Sequence, residues 1–167
     1  MDAQHHKSRD EKADAAHAGE MDSAAYLRLL AMVLLSFAAM YVLMYAMVDR
    51  ASNIFANNNQ LFMAALMAVP MGLIELALMK HMYANRSLNL LTIALSVAVL
   101  LGAFVFIRQQ VGIADRQFLK SMIPHHAAAI LMCKEAPVRD PEILELCRNI
   151  IASQQAEIDQ MKALLAK

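Results

Sequence analysis

The sequence predicts an all-α fold with three transmembrane helices followed by a two-helix hairpin. Hydrophobic residues make up 59% of the 167 residues, well above the roughly 45–50% typical of soluble domains. Glycine and proline are scarce, at four each, and tryptophan is absent, a composition that favours helices over a β-barrel. We therefore expect a disordered polar tail at residues 1–22, a membrane domain at 23–110 and a helical hairpin at 114–167.

Three apolar stretches are each long enough to cross a membrane. A helix needs roughly 20 predominantly apolar residues to span about 30 Å of hydrocarbon. The stretches cover residues 24–48, 61–79 and 90–107. The first is too long for the apolar core of a signal peptide and lacks a small-residue cleavage site. We therefore expect it to stay in the lipid bilayer as an anchor.

The positive charges favour one orientation in the membrane. Three spans place the two termini on opposite sides. Near the spans, the Lys and Arg residues toward the N-terminus and in the second connection slightly outnumber those on the other side; they are Lys7, Arg9, Lys12, Arg28, Lys80 and Arg86 against Arg50, Arg108, Arg116 and Lys120. By the positive-inside rule the N-terminus is then cytoplasmic. The hairpin is expected outside the cytoplasm, in the periplasm of a cell whose inner membrane holds the protein.

Segment 114–167 has the start and stop signals of a helical hairpin. Asp115 is placed to cap a first helix that Pro137 ends, and Asp140 followed by Pro141 is a favourable start for a second. Apolar residues recur at helical spacing along the second helix and give it one buried face. Two short helices cannot enclose a core alone. We expect the hairpin to pack on the membrane domain or on a second copy, and a homodimeric four-helix bundle is the simpler solution.

The run MIPHH, from Met122 to His126, carries the best candidate for a binding site. On a helix, Met122 lies one turn before His125 and His126, so a thioether and at least one imidazole share a face. Pro124 removes a backbone hydrogen bond at a cost of about 3 kcal/mol, and the resulting kink is expected to turn both imidazoles toward one site. Thioether with imidazole is a ligand set that favours Cu(I) over Mg²⁺, Ca²⁺ or Mn²⁺.

Two further methionines extend this candidate copper site. Met161 lies on the facing helix at the level of Met122, where it can complete the site from across the hairpin, and Met132 is a weaker candidate further along the first helix. The alternative is that both histidines are solvated on a helix surface and that the methionines fill the core. The residues alone leave both interpretations open.

The hairpin resembles the family called domain of unknown function 305. The resemblance rests on Phe118, the MIPHH run and the downstream pattern QxxEIxxM, which ends at Met161, and it covers about a third of the chain. It implies a ferritin-like helical fold, often extracytoplasmic, with relatives linked to copper binding and copper tolerance. It also implies metal roles for Met122, His125, His126 and Met161. Soluble members often contain the two-helix unit twice, whereas this chain has it once.

The two cysteines, Cys133 and Cys147, are expected to meet across the hairpin. Cys133 lies on the same helix face as Met122 and His126, and Cys147 lies on the buried face of the second helix. Outside the cytoplasm a disulfide is the preferred interpretation. A second soft-metal site and two buried free thiols are the alternatives.

The second span holds another constellation, in which methionines and one carboxyl group follow each other every four residues. Its members are Met63, Met67, Met71, Glu75 and Met79. A carboxyl group within the hydrocarbon is expensive and suggests a functional site, and the spacing is similar to that of Ctr-type copper importers. The alternative is a packing interface with a neutral acid hydrogen-bonded to Ser96, Thr92 or Tyr41.

Several function classes find no support in the sequence. The formal net charge is +0, so a nucleic-acid partner is not expected, and no catalytic constellation or organic cofactor motif indicates an enzyme. The leading hypothesis is a membrane-anchored protein that sequesters or hands on Cu(I) through the hairpin. The alternatives are a subunit of an oligomeric copper or cation transporter that uses the methionine and Glu75 ridge, and a structural protein with a disulfide-linked hairpin.

Overall fold

The computed structural model describes the backbone from Asp2 to Lys167 and the side chains of residues 23–167, and the predicted disordered tail at 1–22 lies outside the part whose side chains are described. Within this part of the chain the fold is all-α, as the sequence predicts. Five α-helices follow each other along the chain: α1 at Asp2–Leu43, α2 at Asn58–Leu78, α3 at Arg86–Gln109, α4 at Asp115–Glu135 and α5 at Pro141–Leu165. Two 3₁₀ turns, Met44–Met47 and Ala51–Asn53, form half of the connection between α1 and α2.

Three helical segments are long and apolar enough to cross a membrane, namely Ser23–Met47, Asn58–Leu78 and Arg86–Gln109. This agrees with the three spans that the sequence predicts. α2 packs against both α1 and α3, and we call these three helices the three-helix unit. The second and third helices begin earlier than their apolar stretches because asparagines cap them. Asn57 accepts from Gln60 N at 2.9 Å and Asn85 accepts from Leu88 N at 3.1 Å.

Small side chains let α2 approach α1 closely. The buried residues of α2 are Ala64, Ala68, Gly72 and Leu76, the composition expected where apolar helices pack within a membrane. A Cβ atom added to Gly72 would lie 2.7 Å from Val33 Cγ2. The side chain at position 72 therefore has to be absent for α1 and α2 to keep this distance.

The hairpin formed by α4 and α5 has the predicted turn but differs at its start. Asp140 caps α5 by accepting from Glu142 N at 2.8 Å and Ile143 N at 3.2 Å, with Pro141 in the first turn. The expected cap at Asp115 is wrong. The N-cap residue of α4 is Ala114, which makes no side-chain cap bond, and Asp115 lies inside the first turn, where its charge favours the helix dipole.

The hairpin buries its apolar face partly against the three-helix unit. Its own core consists of Ile123, Ala127, Ile130, Ile158 and Met161. Val48 and Phe55, from the connection between α1 and α2, pack against this core. The sequence left two partners open for the hairpin, the membrane domain and a second copy. The membrane domain of the same chain covers part of the hairpin core, and dimerisation into a four-helix bundle stays a prediction.

Polar contacts join the hairpin to the same end of the three-helix unit. Gln117 Oε1 on α4 accepts from Asn58 N at 3.1 Å. Arg50 Nη2 donates to Gln155 Oε1 on α5 at 3.5 Å. Asn59 and Gln110 exchange two amide hydrogen bonds, at 3.1 and 3.3 Å, between the start of α2 and the end of α3. These contacts place the MIPHH face of α4 directly over the connection between α1 and α2.

Candidate metal site between the hairpin and the three-helix unit

His125 and His126 lie next to each other but face different surroundings. Their ring centroids are 6.1 Å apart and the ring planes differ by 68°. Pro124 lies inside α4, which continues without interruption to Glu135, so consecutive side chains point about 100° apart around the helix. The expectation that the proline turns both imidazoles toward one site does not hold in this structure.

His126 points into the hairpin and is bonded at both ring nitrogens. Nδ1 lies 2.8 Å from the carbonyl oxygen of Met122, and Nε2 lies 2.7 Å from Glu157 Oε2 on α5. A carbonyl oxygen only accepts, so Nδ1 carries a hydrogen and donates it. With 9% of its surface exposed, His126 joins α4 to α5.

Met161 and Met132 also lie away from His125. Met161 is buried in the hairpin core with Ile123 and Ile158, where it acts as packing. Met132 is 52% exposed. Of the five metal ligands predicted from the sequence, Met122 and His125 line the same cavity.

That cavity is a cleft of about 510 Å³ between α4 and the three-helix unit, which we call the junction cleft. Four methionines and one histidine line it: Met44 and Met47 from the first 3₁₀ turn, Met63 from α2, and Met122 and His125 from α4. Five soft or borderline donors from three elements therefore share one space.

Met44 and Met47 are the residues that sequence reasoning missed. They close the first apolar stretch, about 75 residues before Met122 along the chain, and nothing local marks them as different from other methionines in a span. The unusual number of methionines, 14 in the whole chain, was the available signal. It shows that methionine is abundant but does not show which methionines meet.

The rest of the junction cleft carries no formal charge. Its polar lining residues are Asn57, Asn59, Gln60 and Ser121, and its remaining lining residues are Val48, Pro124 and Ala128. Among residues 23–167, no group of three or more His, Cys, Asp or Glu side chains is arranged to hold a metal ion. The donors in the cleft are thioethers and one imidazole, which is the softer ligand set.

The methionine ridge of α2 faces outward over most of its length. Met63, Met67 and Met71 are 44%, 46% and 38% exposed, and each directly precedes one of the buried small residues Ala64, Ala68 and Gly72, so the two rows lie about 100° apart around the helix. Within one chain, Met67 and Met71 therefore line no enclosed path. Met79 packs against the cluster of Ala25, Leu29, Leu76 and Tyr83 at the far end of the unit.

Glu75 lies close to the end of α2 and is hydrogen-bonded to Tyr83. Among the described residues, Glu75 makes no hydrogen bond to Ser96, Thr92 or Tyr41, the partners considered from the sequence. Burial raises the pKa of the Tyr83 hydroxyl, and the charge of Glu75 and the hydrogen bond to it raise that pKa further. Asn89 Nδ2 donates to the carbonyl oxygen of Tyr83 at 2.9 Å, so this end of the molecule forms a bonded polar network.

Cys133 and Cys147 lie close enough across the hairpin for their thiols to interact. The hydrogen bond with Cys147 raises the pKa of the Cys133 thiol, and partial burial and the charge of Cys147 add to the effect. Both residues are free thiols with intermediate exposure. The pair lies near the turn of the hairpin, roughly 12 Å along α4 from His125 by the rise of 1.5 Å per residue.

The comparisons with known proteins agree with the resemblance and extend it along the chain. The family model described as "Domain of unknown function (DUF305)" matches residues 67–165, so the match begins within α2 and includes α3 as well as the hairpin. An uncharacterized protein of Acanthamoeba polyphaga mimivirus is 36% identical over 141 residues, which are 82% of this chain and 90% of the viral protein. No solved structure matches the chain. The chain belongs to the family described as Domain of unknown function (DUF305).

Proposed function

We propose that this protein is a membrane-anchored metal-binding protein that holds Cu(I) and sequesters it or hands it on. The observation that carries the proposal is that Met122 and His125 line the same cleft. Thioether sulfur and imidazole nitrogen together favour Cu(I) among biological cations. Among the described residues His125 makes no hydrogen bond or ion pair and its side chain is exposed, so its ring nitrogens are available to an ion.

The role of His126 in this proposal is positional. Its bonds to Met122 O and Glu157 hold α4 against α5 and thereby direct the neighbouring His125 toward the cleft. If the hydrogen bond to Glu157 opens, Nε2 becomes a second nitrogen donor while Nδ1–H stays bonded to a carbonyl, the arrangement usual for metal-bound histidine.

The test is a Cu(I) titration of the full-length protein in detergent against a chromophoric competitor under reducing conditions. Cys133→Ala and Cys147→Ala are included in every sample because the thiol pair is itself a soft-metal ligand. We expect His125→Ala and Met122→Leu each to weaken binding about tenfold or more. His81→Ala is the matched control, since His81 is exposed in the connection between α2 and α3. Equal affinity in the cysteine-free parent protein and in its His125→Ala variant would contradict the proposal.

The proposed orientation places the N-terminus in the cytoplasm and the hairpin outside it, where the junction cleft meets extracytoplasmic copper. The charge distribution around the three spans supports this orientation. Reporter fusions after residues 22 and 167 test it, because a phosphatase active only outside the cytoplasm should work at the second position and fail at the first. The reverse pattern would invert the topology.

We further propose that two copies associate through α5. Ile143, Leu144 and Leu146 near its start are 48%, 38% and 56% exposed, and burial of such side chains favours association. Light scattering in detergent should give a protein mass of two chains. Replacing Ile143 and Leu146 with Ser should reduce the measured protein mass to that of one chain.

A transport role is the second candidate because Met63 belongs both to the junction cleft and to the outward ridge with Met67 and Met71. An ion could pass from cleft to ridge only where copies of α2 face each other. Copper uptake into vesicles that falls in Met67→Leu/Met71→Leu, with equilibrium binding unchanged, would favour transport over storage.

A further inference from the structure

We infer that the three-helix unit itself completes the copper site, with Met44, Met47 and Met63 as ligands beside Met122 and His125. This deepens the proposed function and rests on it. The inference differs from the expectation based on sequence, in which the hairpin alone supplies every ligand. Three of the five donors in the junction cleft come from outside the hairpin.

The positions of the three methionines support their role as ligands. Met47 and Met63 are 50% and 44% exposed, and both line the cleft. Their side chains are therefore not committed to a packed core, in contrast to Met161. A methionine side chain has three rotatable bonds, so sulfurs that line one cleft can converge on an ion without a shift of the backbone.

The charge of the cleft favours a monovalent ion. None of its lining residues is a carboxylate or a cation, and the cost of moving an ion out of water rises with the square of its charge in the Born description. A divalent cation would enter this apolar setting without a compensating negative charge. Cu(I) carries a single positive charge and prefers neutral sulfur donors.

Shared ligation would have a mechanical consequence. The ion would link α4 to the first 3₁₀ turn and to α2, in addition to the apolar contacts of Val48 and Phe55 with the hairpin core. A ligand that binds only the docked arrangement stabilises that arrangement by mass action. Metal loading should therefore fasten the hairpin to the three-helix unit, and metal release should loosen it.

The experiment compares two triple variants of the full-length, cysteine-free protein in the same Cu(I) competition assay. One carries Met44→Leu, Met47→Leu and Met63→Leu. The matched control carries Met67→Leu, Met71→Leu and Met132→Leu, three exposed methionines that do not line the cleft. Leu and Met have similar volumes, so both sets should keep the fold, and helicity and elution volume check this.

We expect the cleft triple variant to lose affinity by about tenfold or more and the control to stay within about twofold. X-ray absorption should show fewer sulfur neighbours around copper in the cleft variant only. If the cleft triple variant does not fold, Met47→Leu alone replaces it, because its partly exposed side chain tolerates change best.

Two contrary results have different meanings. Wild-type affinity in the cleft variant, together with lost binding in Met122→Leu/His125→Ala, would overturn the shared site and leave the proposed function standing. No Cu(I) binding by the cysteine-free wild-type chain would overturn both. Equal losses in the cleft variant and in the control would also reject the shared site, because the effect would not be specific to the cleft.

Discussion

The two ends of the three-helix unit contain the two candidate sites that the sequence suggests, and they differ in how their polar groups are used. At the end near the α2–α3 connection, Glu75 is bonded to Tyr83, and Asn89 is bonded to the backbone of Tyr83 and to Tyr26. At the junction cleft, His125 and four methionines line a cavity. Donors already bonded within the protein contribute to stability, whereas donors left open are available to a ligand.

Glu75 has a different interpretation in the structure than in the sequence. A carboxyl group in an apolar helix suggests a functional site from sequence alone. Its position near the end of α2 and its hydrogen bond to Tyr83 favour a structural role.

The largest expected difference between the two ends lies in stabilisation by Ag(I), a redox-inert substitute for Cu(I). At a free concentration of a hundred times Kd, a ligand stabilises the folded protein by about 2.7 kcal/mol. We expect this gain in cysteine-free wild type and in Glu75→Gln, and its loss in Met122→Leu/His125→Ala, measured as the shift in Tm. If Glu75→Gln abolished the stabilisation by Ag(I), the ion would bind at the Glu75 end of the three-helix unit and not at the junction cleft.

The next effect concerns the bond between His126 and Glu157. Glu157→Ala leaves Nε2 of a largely buried imidazole without its partner, which should lower the free energy of unfolding by about 1–3 kcal/mol. Glu145→Ala is the control, because the pair of Glu145 and Arg148 is exposed on both sides and such pairs contribute about 0–1 kcal/mol. Denaturant unfolding in detergent measures both, and equal losses would show that His126 does not depend on Glu157.

A smaller effect is expected at the bonded end. Tyr83→Phe removes the hydroxyl that bonds Glu75, so it should lower the free energy of unfolding by about 1 kcal/mol and leave Cu(I) affinity unchanged. Glu75→Gln keeps an acceptor for the hydroxyl and should have the smaller effect on stability. A fall in copper affinity in Tyr83→Phe would show that the two ends are coupled.

The smallest expected effect is a shift in the pH dependence of thiol alkylation at Cys133. Because the hydrogen bond with Cys147 and partial burial raise its pKa, less thiolate is present at neutral pH, and the alkylation rate should rise only at more alkaline pH than for an ordinary cysteine. Cys147→Ala removes the bond, so the profile of Cys133 should move toward lower pH. An unchanged profile would show that the thiols do not interact in solution.

The same thiol pair carries the predicted disulfide. Oxidation with a mild oxidant should convert both thiols to one intramolecular bond, detected by mass spectrometry, and should not change Cu(I) affinity at the junction cleft. Intermolecular cross-links as the main product would contradict the intramolecular pair.

Local sequence patterns predicted most of the fold. Apolar length identified the three spans, and Asp140 with Pro141 located the start of α5, because such signals act within one or two turns of a helix. The predicted N-cap at Asp115 was wrong by one residue. A carboxylate within the first turn also interacts favourably with the helix dipole, so an acidic residue near a helix start does not have to be the cap. Met122 and His125 line one cavity, and their role as copper ligands stays a prediction.

The sequence by itself determined the helices, the three apolar spans and the supply of soft donors, because these depend on residues close together along the chain. Only the tertiary structure decided which donors meet. Two consecutive histidines diverge because a helix turns about 100° per residue, and Met44, Met47 and Met63 join His125 only because the hairpin packs on the connection between α1 and α2. That packing is decided by complementary apolar surfaces distant in sequence, which no local pattern encodes.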